Sequence, residues 1–304
     1  MSKLFRKREY SIDFMGQSKL AYIFSAIMLL VSIVSFCTRG LNYGIDFVGG
    51  VQIEANNESG IQMDVVREKL SFLKDLSLQS VGTDGQGILI QAQPEGENPN
   101  ALLTKIKDAL GAGYSYNDVQ IVGPSIGAEL KYKSLLASIL ALLAIAIYIW
   151  FRFEWPFAIG CLLALAHDMI IVVGFFSLFQ IEFDMVVVAG LLSLAWYDCN
   201  DTIVSYDRMR ENLKKYRKSS IVELINRSTN ETFSRTILTS LTTLFVVLVL
   251  LFVGGESLYG FSVAMVLGTI FGTYSSIYLA MPLLQYFDLR SVGTSESAEP
   301  DFNK

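Results

Sequence analysis

Two carboxylates lie inside an apolar stretch of the sequence, where a charge is costly. Asp198 and Asp201 fall within residues 185–206, which are long and apolar enough to predict a membrane-spanning helix. An acid at the centre of such a helix costs roughly 2.5–3.5 kcal/mol and usually faces a bundle interior or a water-filled cavity. Their spacing puts both carboxylates on neighbouring parts of one helix face. Two acids so placed predict a proton pathway; the alternative is a carboxylate packed against a hydroxyl or an arginine for structural reasons.

Three further polar residues lie in or beside apolar stretches. His167 and Asp168 fall near the middle of another predicted span. They form either a functional proton relay or a hydrogen-bonded pair that ties helices together. Arg235 directly precedes a later span. It is either a flanking residue whose side chain extends to the membrane surface or a charge at the same depth as Asp201. The second interpretation is open because Asp201 lies close to the predicted cytoplasmic end of its own span.

Metal and cofactor sites are not predicted. Cys37, Cys161 and Cys199 all fall in or at the edge of apolar stretches, with no CxxC pair and no His cluster. The glycine-rich residues 43–50 lack the Lys-Ser/Thr ending of a P-loop, and no strand precedes them as a dinucleotide fingerprint requires. Their glycines more simply permit tight turns. We therefore expect no cofactor, no metal and no covalent catalysis.

The composition indicates a protein that crosses the membrane several times. Of its 304 residues, 52% are hydrophobic and only 17% are charged, whereas soluble domains have about 25% charged residues. The apolar residues are concentrated in blocks long enough to cross about 30 Å of hydrocarbon. Six helical spans are predicted, at residues 20–37, 134–151, 155–179, 185–206, 237–253 and 261–284.

The distribution of Lys and Arg predicts the orientation, because cytoplasmic flanks are enriched in these residues. Residues 1–19 and 207–235 are basic, whereas the turns 180–184 and 254–258 contain neither Lys nor Arg. Both termini are therefore predicted to be cytoplasmic, and residues 38–133 to be external.

Two cytoplasmic segments carry predictions of their own. In the basic segment 207–235, Ile221, Leu224 and Ile225 predict an amphipathic stretch on the membrane surface. The acidic, small-residue-rich tail 291–304 is predicted to be disordered. No cleaved signal peptide is expected, because the first apolar run is as long as a span and no cleavage pattern follows it.

The external residues predict one small α+β domain. A strand interrupted by glycine turns is expected at 43–55, helices at 61–74 and 102–110, strands at 76–81, 87–93 and 119–122, a turn at 83–86 and an exposed loop at 95–100. This β-α-β-β-α-β order is that of a ferredoxin-like domain. Its acids balance or exceed its Lys and Arg, so no basic patch for nucleic acid is expected.

Short motifs occur along nearly the whole chain, from about residue 9 to residue 285. They are Gly40-Leu-Asn-Tyr-Gly-Ile-Asp-Phe-Val-Gly-Gly50, Val122-Gly-Pro-Ser-Ile-Gly127, Ala166-His-Asp168, Asn200-Asp-Thr202, Asp207-Arg-Met-Arg-Glu-Asn212, Asn226-Arg-Ser228, Ser234-Arg-Thr236 and Gly272-Thr-Tyr-Ser-Ser276. Each motif alone is weak, but together and in this order they resemble the SecF proteins of the SecD/SecF protein-export family, in the resistance-nodulation-division (RND) superfamily.

The resemblance implies half of an RND-type helix bundle in the bacterial cytoplasmic (inner) membrane. Its implied partners are SecD, the SecYEG channel, the ATPase SecA, the exported polypeptide and the surrounding lipids. The implied activity is use of the proton-motive force to pull exported polypeptide across the membrane. Proton coupling is assigned to Asp201 and Arg235, with Asp198, Asn200, Thr202, His167 and Asp168 as further candidates. The motif residues given a structural role are Gly44, Asp46, Gly49, Gly50, Gly123, Pro124, Gly127, Asp207, Arg208, Arg210 and Glu211.

The chain departs from the family pattern at one place. The resembled family usually has Gly-Tyr-Ser where this chain has Trp196-Tyr-Asp198. A bulky Trp replaces a glycine and an extra acid replaces a serine, and both changes bear on helix packing and on the local proton path. Two rival functions also remain: a half-size RND-type exporter of lipids or small molecules, and a non-transporting scaffold for SecD.

Overall fold

The computed structural model describes residues 12–57, 60–73, 76–81, 86–93, 98–111 and 113–290. In chain order, the elements are α1 (Phe14–Arg39), β1 (Asn42–Tyr43), α2 (Ile45–Val48), β2 (Gly50–Asn56), α3 (Met63–Lys69), β3 (Leu76–Val81), β4 (Gly87–Ala92), α4 (Pro99–Leu110), β5 (Ser115–Val122), α5 (Pro124–Arg152), α6 (Trp155–Phe179), β6 (Glu182–Phe183), α7 (Met185–Lys215), α8 (Ile221–Val253) and α9 (Glu256–Ser275). A π-helical segment (Ser276–Ala280), a short helix α10 (Met281–Leu283) and a 3₁₀ turn (Leu284–Tyr286) follow. The first eleven residues, the predicted tail 291–304 and parts of the predicted turn 83–86 and loop 95–100 lie outside the described residues.

Five stretches of the described chain are long and apolar enough to cross a membrane. They are α1, α5, α6, α8 and Ser257–Tyr286. Helix α7 has 31 residues, which at 1.5 Å per residue gives about 46 Å, more than a bilayer core requires. It is not among the five, because polar side chains interrupt its apolar run and its last third is charged.

Helix α7 lies in the interior of the helix bundle. It packs against α9, α8, α6 and α5 and buries Leu194, Ala195, Tyr206 and Met209. By contrast, α5 and the C-terminal half of α8 expose large apolar side chains, and Phe151 and Phe252 are 86% and 82% exposed. Apolar surfaces around a more polar interior helix are what a lipid environment requires.

The structure contradicts the predicted surface helix within residues 207–235. Helix α7 continues to Lys215, and α8 begins at Ile221 and runs unbroken into the membrane-spanning part of the chain. Leu224 and Ile225 are fully buried in the bundle core, so their apolar face packs against protein and not against lipid head groups. The prediction was wrong because an amphipathic face in the sequence does not identify what covers it.

The described residues between α2 and α5 form a four-stranded antiparallel sheet with the order β3-β4-β2-β5. The connections β2-α3-β3 and β4-α4-β5 each carry one helix. The side chains of these two helices and of one face of the sheet form an apolar core that is separate from the core of the helix bundle. Alternate residues of each strand contribute to it, because they point to the same face of a sheet. The core residues that are fully buried include Val51, Ile53, Ile88, Ile90 and Ile106.

The glycine-rich residues after α1 join the sheet to the bundle. The predicted interrupted strand at 43–55 is divided in the structure by the short helix α2, which the sequence prediction missed. Strand β1 pairs in parallel with β6, the connection between α6 and α7. Gly49 has φ 79° and ψ 154°, a region essentially restricted to glycine, and a Cβ there would lie 2.7 Å from Pro124 Cα. The two glycine motifs therefore pack directly together where α5 begins.

Candidate functional site

Asp201 is held by hydroxyl groups from two other helices. The Oγ1 of Thr236 on α8 donates to Oδ1 at 3.0 Å, and the Oγ of Ser276 donates to Oδ2 at 3.0 Å. The side chain is 9% exposed, because α7 presents this face to α8 and α9. The carboxylate thus ties three helices together at one point in the bundle.

Asp168 on α6 makes a second buried contact with the end of α9. The Oγ of Ser275 donates to Asp168 Oδ2 at 2.5 Å, and His167 Nδ1 lies 2.8 Å from Asp168 Oδ1. The contact that joins α6 to α9 is therefore the one between Ser275 and Asp168. The predicted His167–Asp168 pair is present, but its two members are neighbours on α6 and do not join helices. His167 is 4% exposed, and its Nε2 has no hydrogen-bond partner within the described chain.

Asp198 is buried without a donor. It is 4% exposed, and neither carboxylate oxygen has a hydrogen-bond partner among the described residues. Gly272 on α9 faces it so closely that a Cβ at Gly272 would overlap the carboxylate. Gly272, Ser275 and Ser276 therefore contact Asp198, Asp168 and Asp201 respectively, so one short segment of chain touches all three acids.

Of the remaining proton-coupling candidates, one is buried and two are exposed. Thr202 is 3% exposed, whereas Asn200 and Arg235 are exposed. Among the described residues no ion pair joins Arg235 to Asp201, and the α8 residue that binds this carboxylate is Thr236. Trp196 is 63% exposed on the outer side of α7, so it does not occupy a helix interface within this chain.

Ion pairs join the end of α5, the α5–α6 turn, α7 and the start of α8. Asp207 pairs with Arg152 at 2.9 Å, and Arg210 pairs with Glu154 at 3.0 Å, so α7 is joined to both sides of the α5–α6 turn. Arg208 pairs with Glu211 on its own helix and with Glu231 on α8. These motif residues fasten helices together and lie outside the cluster of buried acids.

A second acidic group lies at the junction between the helix bundle and the four-stranded sheet. The Nε2 of Gln91 on β4 donates to Glu182 Oε2 at 2.6 Å, and the backbone N–H of Met185 donates to Asp46 Oδ2 at 3.1 Å. Burial raises the pKa of Glu182, and the nearby charges of Asp184 and Asp46 raise it further. Burial likewise raises the pKa of Asp184. These acids link α2, β4 and the start of α7.

Thr236, Ser275 and Ser276 were not singled out from the sequence as functional residues. Each belongs to a motif quoted for the family resemblance, so a signal was present, but a motif does not indicate which carboxylate a hydroxyl will reach. Among the described residues, no group of three or more His, Cys, Asp or Glu side chains is arranged to hold a metal ion. What the buried cluster can do chemically is accept, hold and release protons at carboxylates whose hydroxyl partners sit on other helices.

Comparison with known proteins gives a consistent family assignment. The family described as "Protein export membrane protein SecD/SecF, C-terminal" matches residues 103–290, and the "SecD/SecF GG Motif" matches residues 34–55. Similar proteins include the "Protein translocase subunit SecF" of Rickettsia prowazekii, 39% identical with 93% of each chain covered. The protein of the same name from Pseudomonas aeruginosa is 40% identical, with 92% of this chain and 93% of that protein covered.

A solved structure supports the same assignment. The crystal structure of SecDF from Thermus thermophilus, titled a translocon-associated membrane protein, superposes with a TM-score of 0.80 at 33% identity. The superposition covers 93% of this chain but only 39% of the SecDF chain. The chain therefore corresponds to well under half of that larger protein.

Proposed function

The chain belongs to the SecD/SecF family of protein-export membrane proteins, and we propose that, as an auxiliary subunit of the Sec protein translocase, it uses the proton-motive force to promote polypeptide export. Asp201 takes up and releases the protons. The observation that carries this proposal is the position of Asp201, buried and bound by hydroxyls from α8 and the end of α9. A change in its charge alters contacts to two helices at once.

Asp198 and Asp168 extend the proton site. Burying an ionised carboxylate without donors is costly, so a proton is the simplest partner for Asp198. Asp201 lies one helical turn away on α7, and a second carboxylate so close disfavours an ionised Asp198 further. The acids then gain and lose protons as a group, in steps that belong to no single residue.

SecD is the partner of this subunit. The size of the matched SecDF chain, of which this chain covers 39%, leaves room for a second half-bundle. On the surface, Asn200 and Arg235 are exposed one residue away from the Asp201 and Thr236 pair, and polar groups at this depth are costly against lipid. We propose that SecD covers this face and that Arg235 favours the charged form of Asp201 when the bundle brings them together.

The remaining features of the proposal concern topology. All six long helices of the described chain cross the inner membrane, α7 included, because its acids Asp198 and Asp201 are buried against neighbouring helices, while α5 and α8 beside it expose large apolar side chains. Residues 38–133 form a ferredoxin-like external domain, supported by the strand order β3-β4-β2-β5. Both termini are cytoplasmic, because the basic residues concentrate between the inner ends of α7 and α8. SecYEG, SecA and the exported polypeptide are the further proposed partners.

The test is polypeptide export into inverted membrane vesicles, with and without an imposed proton gradient. Asp201→Asn is expected to lose the gradient-dependent part of export while still co-isolating with SecD. Asp198→Ser, which installs the residue usual in the family, is expected to keep gradient-dependent export with a shifted pH dependence. Asp207→Asn is the matched control, because Asp207 lies on the same helix but in an exposed ion pair.

Two outcomes would contradict the proposal. Full gradient-dependent export in Asp201→Asn would reduce the subunit to a scaffold for SecD. Loss of export in Asp198→Ser with retention in Asp201→Asn would make Asp198 the working acid.

A further inference from the structure

The end of α9 touches every acid of the buried cluster, and its helical geometry changes at that point. Gly272 faces Asp198 and Ser275 binds Asp168, while Ser276 binds Asp201 and is also the first residue of the π-helical segment. We infer that Ser275 and Ser276 are positioning residues that convert protonation of Asp168 and Asp201 into a change of helical register in Ser276–Ala280. This inference rests on the proposed proton-coupled function and names the element that moves.

Each serine has two acceptors within reach of its single proton. Ser276 Oγ lies 3.0 Å from Asp201 Oδ2 and 3.1 Å from the carbonyl oxygen of Thr273. Ser275 Oγ likewise lies 2.5 Å from Asp168 Oδ2 and 3.1 Å from the carbonyl oxygen of Gly272. A hydroxyl donates only one hydrogen bond. An ionised carboxylate is the stronger acceptor, whereas a protonated carboxyl can itself donate to the serine and free the hydroxyl proton for its own helix.

The carbonyl groups that compete for these protons belong to the turn immediately before the π-helical segment. A π turn holds an extra residue, and such turns occur mostly as short insertions within α-helices, frequently at functional sites. Because one residue corresponds to about 100° of rotation in an α-helix, shifting the insertion by one position reorients the side chains that follow. Pro282, two residues beyond the segment, has no N–H to donate and disturbs regular α-helix at this place.

Helix α7 holds both ends of the π-helical segment. Asp201 accepts from Ser276 at the first residue, and Tyr206 donates through its hydroxyl to the carbonyl oxygen of Ala280 at the last residue, at 3.0 Å. Tyr206 is fully buried, and a Cβ at Gly160 of α6 would overlap its hydroxyl. The Tyr206 contact does not involve a carboxylate, so it stays fixed while the Asp201 contact changes with protonation. A change of register within these five residues needs one fixed end, here Ala280, and one end whose contact can change, here Ser276.

Other ionisable side chains lie around the segment or within it. They are His167 and Cys161 on α6, Asp198, Cys199 and Tyr197 on α7, Arg235 on α8, Tyr22 on α1, Tyr274 just before the segment and Tyr278 inside it. The test must therefore separate the two serines from the acids themselves.

The experiment is amide hydrogen exchange of residues 276–280, measured on the full chain with SecD in lipid nanodiscs. After correction for the intrinsic effect of pH, wild-type exchange in this segment is expected to change roughly tenfold across about pH 5 to 8. Ser276→Ala is expected to abolish that change, and Ser276→Thr, which keeps the hydroxyl, is expected to retain it. Ser262→Ala is the matched control: Ser262 is a fully buried serine of α9 whose hydroxyl has no partner among the described residues.

The outcomes separate this inference from the proposed function. Exchange that does not respond to pH in the wild type, while gradient-dependent export still requires Asp201, would leave the proposed function intact and overturn the inference. A pH response that survives in Ser276→Ala would overturn it as well. A response lost in Ser276→Ala but kept in Ser276→Thr and Ser262→Ala would support it.

Discussion

Asp201 accepts hydrogen bonds from Thr236 and Ser276, so two helices respond when its charge changes. A hydrogen bond to a charged group contributes about 1.5–3 kcal/mol. One proton crossing 100 mV releases about 2.3 kcal/mol. Because the two energies are of similar size, one proton is enough to exchange one of these contacts for another.

Arg235 gives the prediction at this scale. A basic residue that only flanks a span needs its positive charge and nothing more. A residue that pairs with a carboxylate in the membrane also uses the planar guanidinium group of arginine, which can donate two hydrogen bonds at once. Arg235→Ala is therefore expected to lose most gradient-dependent export, and Arg235→Lys to keep part of it. Arg227→Ala, on the same helix but paired with Glu231, is the control and is expected to export normally at equal protein level. Full export in Arg235→Ala would make Arg235 a simple membrane flank.

The acids of the site could be predicted from the sequence, but their partners could not. Asp168, Asp198 and Asp201 stand out because a carboxylate in an apolar stretch is rare and costly. Thr236, Ser275 and Ser276 carry no such cost and are common in helices. Which carboxylate each hydroxyl reaches depends on the rotation of α8 and α9 about their axes, and that rotation is set by packing along their whole length.

At the scale of elements, the junction between the four-stranded sheet and the helix bundle is built on glycine. Gly49→Ala is expected to destabilise it by two effects: a backbone conformation that costs roughly 1–3 kcal/mol outside glycine, and overlap with Pro124, which adds roughly 1–3 kcal/mol. Gly111→Ala is the matched control. Gly111 has a similar backbone conformation, with φ 82° and ψ −175°, but nothing lies within 4 Å of its missing Cβ.

The measurement is the thermal unfolding midpoint of the two purified variants in detergent. Gly49→Ala is expected to unfold at the lower temperature. Equal midpoints would mean that close packing against Pro124 contributes nothing to stability.

The acids of the same junction predict a pH dependence. Burial raises the pKa of Glu182 above its ordinary value, so the folded protein binds this proton more tightly than the unfolded chain does. Stability from this group is therefore present at low pH and is lost as pH rises from the ordinary value through the raised one. Glu182→Gln is expected to flatten the fall of the unfolding midpoint with rising pH over that range. Asp118→Asn, an exposed acid on β5, should leave the slope unchanged, and an unchanged slope in Glu182→Gln would contradict the assignment.

Elements with a strong apolar periodicity could be predicted from the sequence. What packs against an apolar face could not. Strands β3 and β4 and helix α4 lie close to the predicted ranges, because apolar spacing reports local structure directly. The stretch with Leu224 and Ile225 was misassigned to the membrane surface, because an apolar face packs equally well against lipid or against other helices. The short helix α2 has only four residues, too few for a periodic pattern.

For the whole molecule, the described helices differ in what they expose: α7 packs against four other long helices, whereas α1, α5 and α8 expose many large apolar side chains. Helix α7 carries Asp198 and Asp201 and is surrounded by α5, α6, α8 and α9. A hydropathy average misses such a helix because it sums along the chain and ignores which side a residue faces. The proposed function therefore depends on α7, which was predicted as a span from residues 185–206 but is not among the five described stretches that length and mean hydropathy identify.

Proton movement through this interior helix is the central claim, and it can be measured directly. The chain is purified with SecD, reconstituted into liposomes under an imposed proton gradient, and followed with an enclosed pH-sensitive dye. Wild-type protein and Asp207→Asn are predicted to dissipate the gradient faster than empty liposomes, and Asp201→Asn to match the empty liposomes. Dissipation by Asp201→Asn at the wild-type rate would contradict the account.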